Sequence, residues 1–270
     1  LFIVPKFIPT EDGAPGKRNS LQVISLEHKL GLHGSPTCVM QFDGARGWLV
    51  GPEHGGMACM FTMMNNARLG VGVEGLGVAE ASRQMAISYA LERKQGRSPL
   101  GDAGTGTIID HADVRRMLLT MKALTACSRA IALDTAFSLD MARATEDLVW
   151  SARAAFLTPI CKAFSTDIGN EVAYLGVQVH GGMGFVEETG AAQYSRDVRV
   201  TTIYEGTNGV QSMDLVGRKL ADGGVAARAM LEDIRAAADA AEPELGAAVR
   251  EAADKIGTAT DWMLSSETIN

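Results

Sequence analysis

The segment QVHGGMGFVEETGAAQYSRDVRVTTIYEGTNGVQ, residues 178–211, decides the fold of this chain. It follows a long stretch with helical periodicity and holds three short motifs in order, QVHGGMGF, RDVR and IYEGTN. The pair Gly181-Gly182 is typical of a helix C-terminus, and Thr207 is a residue type that favours a helix N-cap. The segment therefore predicts the end of one long helix, a turn, and two shorter helices near 190–197 and 208–220.

Upstream of this segment the sequence predicts three long helices. Apolar residues recur at helical spacing from about 57 to 94, a stretch too long for a strand. The glycines at 70, 72, 75 and 77 within it predict close approach of another backbone. Asp110 is a suitable N-cap for a second helix to about 144, after a loop at about 96–107. A third helix is expected from about 146 to 179.

The first fifty residues predict β-structure. Four short stretches rich in β-branched and aromatic residues read as strands, with turn-forming segments such as EDGAPGKRN between them: LFIVPKFI, LQVISLEHK, TCVMQFDGA and GWLVG. Four strands are too few for an independent barrel, and Leu1 opens within an apolar stretch. We therefore expect part of a longer protein. The predicted fold class is mainly α, an antiparallel helical bundle preceded by a partial β-domain.

Composition divides the chain into three predicted regions. They are residues 1–53, the C-terminal part of a middle β-domain, residues 54–221, the helical bundle, and residues 222–270, the start of a further helical region. The last region has ten acidic residues against four basic ones. The whole chain has a net charge of −7 and a pI of about 5.3. This charge argues against a nucleic-acid partner, which requires clustered Lys and Arg.

The cysteines and the hydropathy exclude other classes of protein. Cys38, Cys59, Cys127 and Cys161 lie far apart, with no CxxC pair and no His at metal-ligand spacing. They predict unlinked thiols in a reducing compartment and no metal site. No stretch approaches the roughly 18 apolar residues of a membrane span, and no signal peptide is recognisable. We expect a cytoplasmic protein with no membrane partner.

The motifs of residues 178–211, together with MMNNARLGVGVEGLG (63–77) and YALERKQG (89–96), resemble the acyl-CoA dehydrogenase family over about residues 1–221. The resemblance implies the C-terminal helical domain of a flavoprotein. That family uses FAD to oxidise the Cα–Cβ bond of an acyl-CoA thioester to the trans-2-enoyl-CoA, in fatty acid metabolism. It also implies electron-transferring flavoprotein or a similar acceptor as partner, and a homodimer or homotetramer.

The resemblance assigns roles to residues of this sequence. Glu205 matches the catalytic base, and a carboxylate becomes a stronger base when bound substrate excludes water. Contacts with FAD are implied for Arg93, Gln178, Gly181, Gly182 and Thr207. Contacts with the acyl-CoA substrate are implied for Arg68, Asn65, Tyr204 and Gly206.

Most of the residue types fit these implied roles, and the sequence departs from the family's pattern at Asn65 and at Gly209, where many members have Gln. A guanidinium offers two parallel donors to phosphate oxygens, and glycines let backbone N–H groups approach phosphate. Gly206 removes a side chain where the thioester must lie close. Asn65 stands where many relatives have Asp. The family's flavin-ring contacts and N-terminal helical domain have no counterpart here, so we expect this chain alone to be inactive.

The region between the first two long helices indicates a branch of the family. SPLGDAGTGTIIDHADVRRMLLTMKA, at 98–123, is longer than in the common fatty-acid members. With the extension after 221, it resembles the branch that includes 3-methylmercaptopropionyl-CoA dehydrogenase, which implies a short or thioether-bearing acyl group. Two alternatives stay open: a flavin-binding relative acting in DNA alkylation protection, and a non-catalytic scaffold fragment.

Overall fold

The computed structural model describes residues 1–98, Leu100 and 104–265. The chain divides into two compact units, Leu1–Ala67 and Arg68–Asn270, and the boundary falls within the first long helix. The predicted regions 1–53, 54–221 and 222–270 remain predictions.

The first unit contains three antiparallel strand pairs. Its strands are β1 (Phe2–Ile3), β2 (Phe7–Pro9), β3 (Pro15–Arg18), β4 (Leu21–Leu26), β5 (Cys38–Phe42) and β6 (Trp48–Leu49). The pairs are β1 with β6, β2 with β3, and β4 with β5. The partial β-structure predicted for the start of the chain is therefore present.

Two details of this β-structure differ from the prediction. The stretch LFIVPKFI forms two strands rather than one, because Pro5 has no N–H to donate to a ladder. The segment PGKR, predicted as part of a turn, instead forms β3. The turn is confined to Thr10–Ala14, where Thr10 N–H donates to Ala14 O at 2.9 Å and Gly13 has a φ of 81°.

Helices dominate the rest of the chain and confirm the predicted fold class. They are α1 (Gly56–Glu92), α2 (Ala112–Thr145), α3 (Leu148–His180), α4 (Ala191–Val198), α5 (Asn208–Asp214), α6 (Val225–Asp239) and α7 (Pro243–Leu264). Only Glu146 and Asp147 separate α2 from α3, so the two helices run antiparallel. Within the described part of the chain, no helix is both long and apolar enough to cross a membrane.

The connection between α1 and α2 corrects one predicted cap. It contains a short strand pair, β7 (Lys94–Arg97) and β8 (Thr105–Thr107), while Pro99 and 101–103 of the predicted loop lie outside the described residues. Asp110 is not the N-cap of α2, because its carboxylate accepts a hydrogen bond from Ser98 Oγ at 2.7 Å. His111 occupies the cap position without a side-chain bond.

The core of the bundle lies where α1, α2 and α3 pack together. Small residues of α1 meet larger apolar residues of α2 and α3, and the buried cluster comprises Ala79, Ala86, Ala90, Ile108, Met117, Leu118, Met121, Ile168, Val172 and Val179. Alanines let the helix axes approach closely, and the methionines and branched residues fill the remaining space. This packing sets the position of α3 relative to α1.

Two glycines of α1 bring its backbone against that of α3. A Cβ at Gly75 would lie 2.6 Å from Ser165 O and 2.9 Å from Thr166 Cα. A Cβ at Gly72 would lie 3.2 Å from Cys161 O. Since real Cβ atoms essentially never come closer than 3.0 Å, only glycine fits at position 75 without displacing α3.

The predicted close approach holds for only part of the glycine series. It is confirmed at Gly72 and Gly75, and Gly169 of α3 contributes from the other side, where a Cβ would lie 2.8 Å from Gly75 O. It is wrong for Gly70 and Gly77, where a Cβ would meet nothing within 4 Å. A helical face, rather than the whole glycine-rich segment, makes the contact.

Gly75→Ala should destabilise the protein, because the added methyl group would push α3 away from α1. Overpacking of this kind costs about 1–3 kcal/mol. Gly77→Ala is the matched control and should raise stability by up to about 1 kcal/mol, since alanine favours helix over glycine. Urea unfolding of both variants measures the difference. Equal stability of the two variants would contradict the contact.

Candidate active site and cofactor groove

Glu205 lies in a tight turn that leads into α5. Its φ is 53°, in the left-handed region that side-chain-bearing residues rarely occupy, and Gly206 follows with a φ of 86°. Gln211 Nε2 supports the turn by donating to Gly206 O at 3.0 Å and to Glu205 O at 3.4 Å. The Glu205 side chain is half-buried. The Glu205 carboxylate therefore extends from a backbone whose conformation is constrained.

Tyr204 connects this turn to α1. Its hydroxyl donates a hydrogen bond to Glu74 Oε2. Burial raises the pKa of Tyr204, and the bond to Glu74 raises it further, so the hydroxyl stays protonated at neutral pH. The bond places a second carboxylate, Glu74, on the α1 side of the turn.

Lys162 and Asn208 connect the same turn to α3. Lys162 is fully buried, and its Nζ donates to Asn208 Oδ1 at 2.9 Å. Asn208 Nδ2 in turn donates to Asp167 Oδ1 at 2.8 Å and to Ala163 O at 3.2 Å. Burial lowers the pKa of Lys162 to about 8, although the nearby Asp167 carboxylate favours the charged form. The first residue of α5 is thus bound to α3 at several atoms.

Arg68 lies in a buried ion pair rather than at the surface. Its guanidinium contacts Asp214 at 2.7 Å, and the two side chains are 3% and 1% exposed. Arg218 binds the other oxygen of Asp214. This placement leaves Arg68 almost no exposed surface for a ligand. The burial of Arg68 gives no support to its predicted contact with CoA, which stays a prediction. The side chain of Asn65 lies outside the described residues.

A groove of about 710 Å³ brings together three of the residues predicted to hold FAD, Arg93, Gly181 and Gly182. Gly181 ends α3 with a φ of 58°, and its N–H donates to Gln178 O. The C-cap predicted from Gly181-Gly182 is therefore present. Within the described part of the chain, the exposed guanidinium of Arg93 forms no ion pair.

The wall of this groove contains a buried histidine with one free nitrogen. His180 stacks on Tyr89 with ring centroids 4.4 Å apart. Its Nδ1 lies 2.7 Å from Gly176 O, and because a carbonyl oxygen only accepts, Nδ1 carries the proton. In the neutral imidazole Nε2 is an acceptor, and among the described residues it has no partner.

Two further residues predicted to hold FAD lie apart from the groove lining. Gln178 is exposed in the last turn of α3 and does not line the groove. Thr207 is the N-cap of α5, where its Oγ1 accepts from Val210 N–H at 3.2 Å. The N-cap interpretation of Thr207 is therefore confirmed. Its contact with FAD stays a prediction.

Sequence reasoning missed the residues that hold the Glu205 turn in place. These residues form hydrogen bonds or ion pairs around the turn. They are Glu74, Lys162, Asn208, Gln211 and Asp214. One signal was available: Lys162 is the lone charge in the apolar helical stretch LTPICKAF. A lysine in such a stretch is rarely buried without a polar partner, and here that partner is Asn208.

The fold and motifs match a known family. Residues 54–221 match the family described as acyl-CoA dehydrogenase, C-terminal domain. The chain therefore belongs to the acyl-CoA dehydrogenase family, and the resemblance drawn from the motifs is confirmed.

Individual relatives match most of the chain. The 3-methylmercaptopropionyl-CoA dehydrogenase of Ruegeria pomeroyi is 49% identical over 264 residues, which are 96% of this chain and 45% of that protein. A butyryl-CoA dehydrogenase of Syntrophomonas wolfei is 40% identical over 81% of this chain and 38% of its own length. The Caenorhabditis elegans protein ACDH-11, solved in complex with C11-CoA, has a TM-score of 0.73 at 25% identity and matches 85% of this chain and 37% of its own. The chain spans less than half the length of each of these proteins.

Arg68→Ala should strongly destabilise the protein, because it leaves Asp214 buried without its main partner. Removing one member of a buried ion pair costs about 3–5 kcal/mol. Arg218→Ala is the control. It removes the second arginine that pairs with Asp214, and the side chain of this arginine is 58% exposed. That change should cost less than about 1 kcal/mol. Thermal and urea unfolding compare the two, and an equally small effect at Arg68 would contradict a structural role for the pair.

Proposed function

We propose that the protein containing this chain is an FAD-dependent acyl-CoA dehydrogenase in which Glu205 removes the α-proton of the thioester. The observation that carries this proposal is the constrained turn, which holds the half-buried carboxylate of Glu205 in the family's sequence context. Family membership and the 49% identity to a named acyl-CoA dehydrogenase support it.

The residues of the turn have separable tasks in this reaction. The Glu205 carboxylate accepts the proton as the Cα–H bond breaks. The left-handed backbone at Glu205 costs about 1–3 kcal/mol, which the surrounding hydrogen bonds must offset. Gln211 supplies such bonds through the two carbonyl oxygens of the turn. A Cβ at Gly206 would lie 2.8 Å from Gln211 Nε2, so glycine keeps this support intact. We propose Tyr204 and Gly206 as neighbours of the acyl thioester.

The groove at the end of α3 fits part of a flavin dinucleotide. When bound, FAD would supply the acceptor for the hydride that leaves Cβ. An exposed arginine suits the diphosphate, and the open backbone at Gly181 and Gly182 leaves room for it. The buried His180 Nε2 offers an acceptor to a ligand N–H or O–H. We propose Arg93, Gly181, Gly182 and the neighbouring Gln178 as contacts to the adenine and diphosphate end, with Thr207 on the side of the Glu205 turn.

The relatives support a narrower substrate class. We propose a short-chain or 3-methylmercaptopropionyl thioester as substrate, because the relative named for that substrate is 49% identical across nearly the whole chain. We further propose that the protein acts as a homodimer or homotetramer and passes its electrons to an electron-transferring flavoprotein or similar acceptor. Arg68 and Asn65 stay proposed CoA contacts.

A role on DNA is not favoured by the region after residue 221. Its basic side chains are engaged in ion pairs within α6 and α7: Arg228 with Asp261, Arg235 with Asp254, Arg250 with Asp239 and Lys255 with Glu251. Cations that are already paired, in a region with an acidic excess, give little attraction to phosphate.

Glu205→Gln in the full-length protein should abolish most flavin reduction by acyl-CoA. Glutamine keeps the size and hydrogen bonding of glutamate but is not a base. The rate should fall at least about a hundredfold, equivalent to about 2.7 kcal/mol. Stopped-flow absorbance of the flavin measures this step, with fatty and thioether acyl-CoAs compared as substrates.

Glu188→Gln is the control for this experiment. Glu188 is an exposed acid of the same sequence region and should leave the rate of flavin reduction unchanged. A near-parental rate for Glu205→Gln, or loss of activity in the Glu188 variant, would show that the base is another residue.

Arg93→Ala should weaken FAD binding about tenfold or more, since hydrogen bonds to charged groups contribute about 1.5–3 kcal/mol. Arg97→Ala is the matched control, because Arg97 is exposed on β7 but does not line the groove. Titration of full-length apoprotein with FAD, followed by flavin fluorescence, gives both dissociation constants. Equal affinities for the two variants would remove Arg93 from the FAD site.

A further inference from the structure

Lys162 is a buried cation whose side-chain partner belongs to the Glu205 turn. It lies in the middle of α3 with none of its surface exposed, between the buried Cys161 and the partly buried Ala163. Its ammonium reaches Asn208, which begins α5 three residues after Glu205. The lysine therefore acts across the interface between α3 and the turn.

Asn208 is oriented by this contact and by its other bonds. Its Oδ1 accepts from Lys162 Nζ, so its Nδ2 must point toward acceptors. Nδ2 donates to Asp167 Oδ1 at 2.8 Å and to Ala163 O at 3.2 Å. The Thr166 hydroxyl lies between the two amide atoms, 3.1 Å from Nδ2 and 3.3 Å from Oδ1. Asn208 is thus bound at both ends of its amide to one face of α3. Any shift of α5 would break several of these bonds together.

Helix stability alone does not explain a lysine at this position. A buried ammonium is costly, and an apolar side chain of similar volume is often neutral or stabilising in its place. Burial lowers the pKa of Lys162 to about 8, so it is still mostly protonated at pH 7. The charged groups around it are Asp167 on α3, Arg68 on α1 and Glu205 in the turn, with Asp214 pairing Arg68. The positive charge that Lys162 retains among these groups indicates that this residue has a function at the turn.

We propose that Lys162 is a positioning residue for the base: by binding Asn208, it fixes the start of α5 and thereby the direction of the Glu205 carboxylate. This inference rests on the proposed function of Glu205. Lys162 is expected to act through Asn208 rather than on the substrate. A misplacement of about 1 Å at a catalytic group can cost about a hundredfold in rate.

The test is a double-mutant cycle of Lys162→Met and Asn208→Ala in the full-length protein. Lys162→Met should raise hydrogen exchange of the backbone amides at 203–208 about tenfold, the effect of losing one hydrogen bond. Asn208→Ala should raise it at least as much, because it also removes the bonds to Asp167 and Ala163. Each should lower the rate of flavin reduction by about ten- to a hundredfold while KM changes less than about twofold. The double variant should match Asn208→Ala, because Lys162 has no further effect on the turn once its partner is gone.

Thr158→Val is the control for damage to α3 itself. Thr158 is buried one turn before Lys162, and its hydroxyl bonds only to Ala154 O of the same helix, at 2.7 Å, among the described contacts. It should leave exchange at 203–208 and the rate unchanged. If Lys162→Met fails to fold, Lys162→Gln, which removes the ammonium but keeps a polar side chain, takes its place in the cycle.

Unchanged exchange at 203–208 in the Lys162 variant, or a double variant clearly more affected than Asn208→Ala, would overturn the positioning role. The test of Lys162 and the test of Glu205 as the base can fail independently of each other. Fast exchange in the Lys162 variant together with an active Glu205→Gln protein would support the positioning of the turn and reject Glu205 as base. An inactive Glu205→Gln protein, together with unchanged exchange in the Lys162 variant, would support Glu205 as the base and reject the positioning role of Lys162.

Discussion

The backbone contact between α1 and α3 is the constraint on which the candidate site depends. At Gly72 and Gly75 no side chain separates the two helices, and a Cβ at position 75 would already overlap α3. This close approach places the polar residues of both helices beneath one turn. Arg68 comes from α1 and Lys162 from α3, and their charges are near enough to influence each other. A wider spacing would separate these groups and leave the turn without support.

Buried and half-buried polar groups then specify where the turn lies. Burying a charge is costly unless it is paired, so each buried group restricts its partner to a small region. Asp214 must meet Arg68, Asn208 must meet Lys162, and Tyr204 must meet Glu74. The three partners flank Glu205 along the chain. Together they hold a residue in a left-handed conformation that the isolated sequence would rarely adopt.

The long helices could be predicted from the sequence to within a few residues, because hydrophobic periodicity and caps are local signals. The helix predicted at 208–220 differs: α5 ends at Asp214, and Leu215–Lys219 continues as a π-helix. Thr207 and Gly181 mark helix ends where their residue types predict them. Asp110 did not, since its carboxylate accepts a hydrogen bond from Ser98, just after a strand that the pattern did not reveal. The strand PGKR was missed for a similar reason: its composition favours a turn, and only pairing with β2 makes it a strand.

The sequence by itself determined the helical bundle, the family, and Glu205 as the candidate base, because these depend on short motifs and on periodicity along one segment. Only the tertiary structure decided how that carboxylate is held. The bonds that hold it join residues 146 positions apart for Arg68 and Asp214, 130 for Tyr204 and Glu74, and 46 for Lys162 and Asn208. Such pairs leave no periodic trace in the sequence. They form only because the packing of α1 against α3 brings distant segments within hydrogen-bond distance.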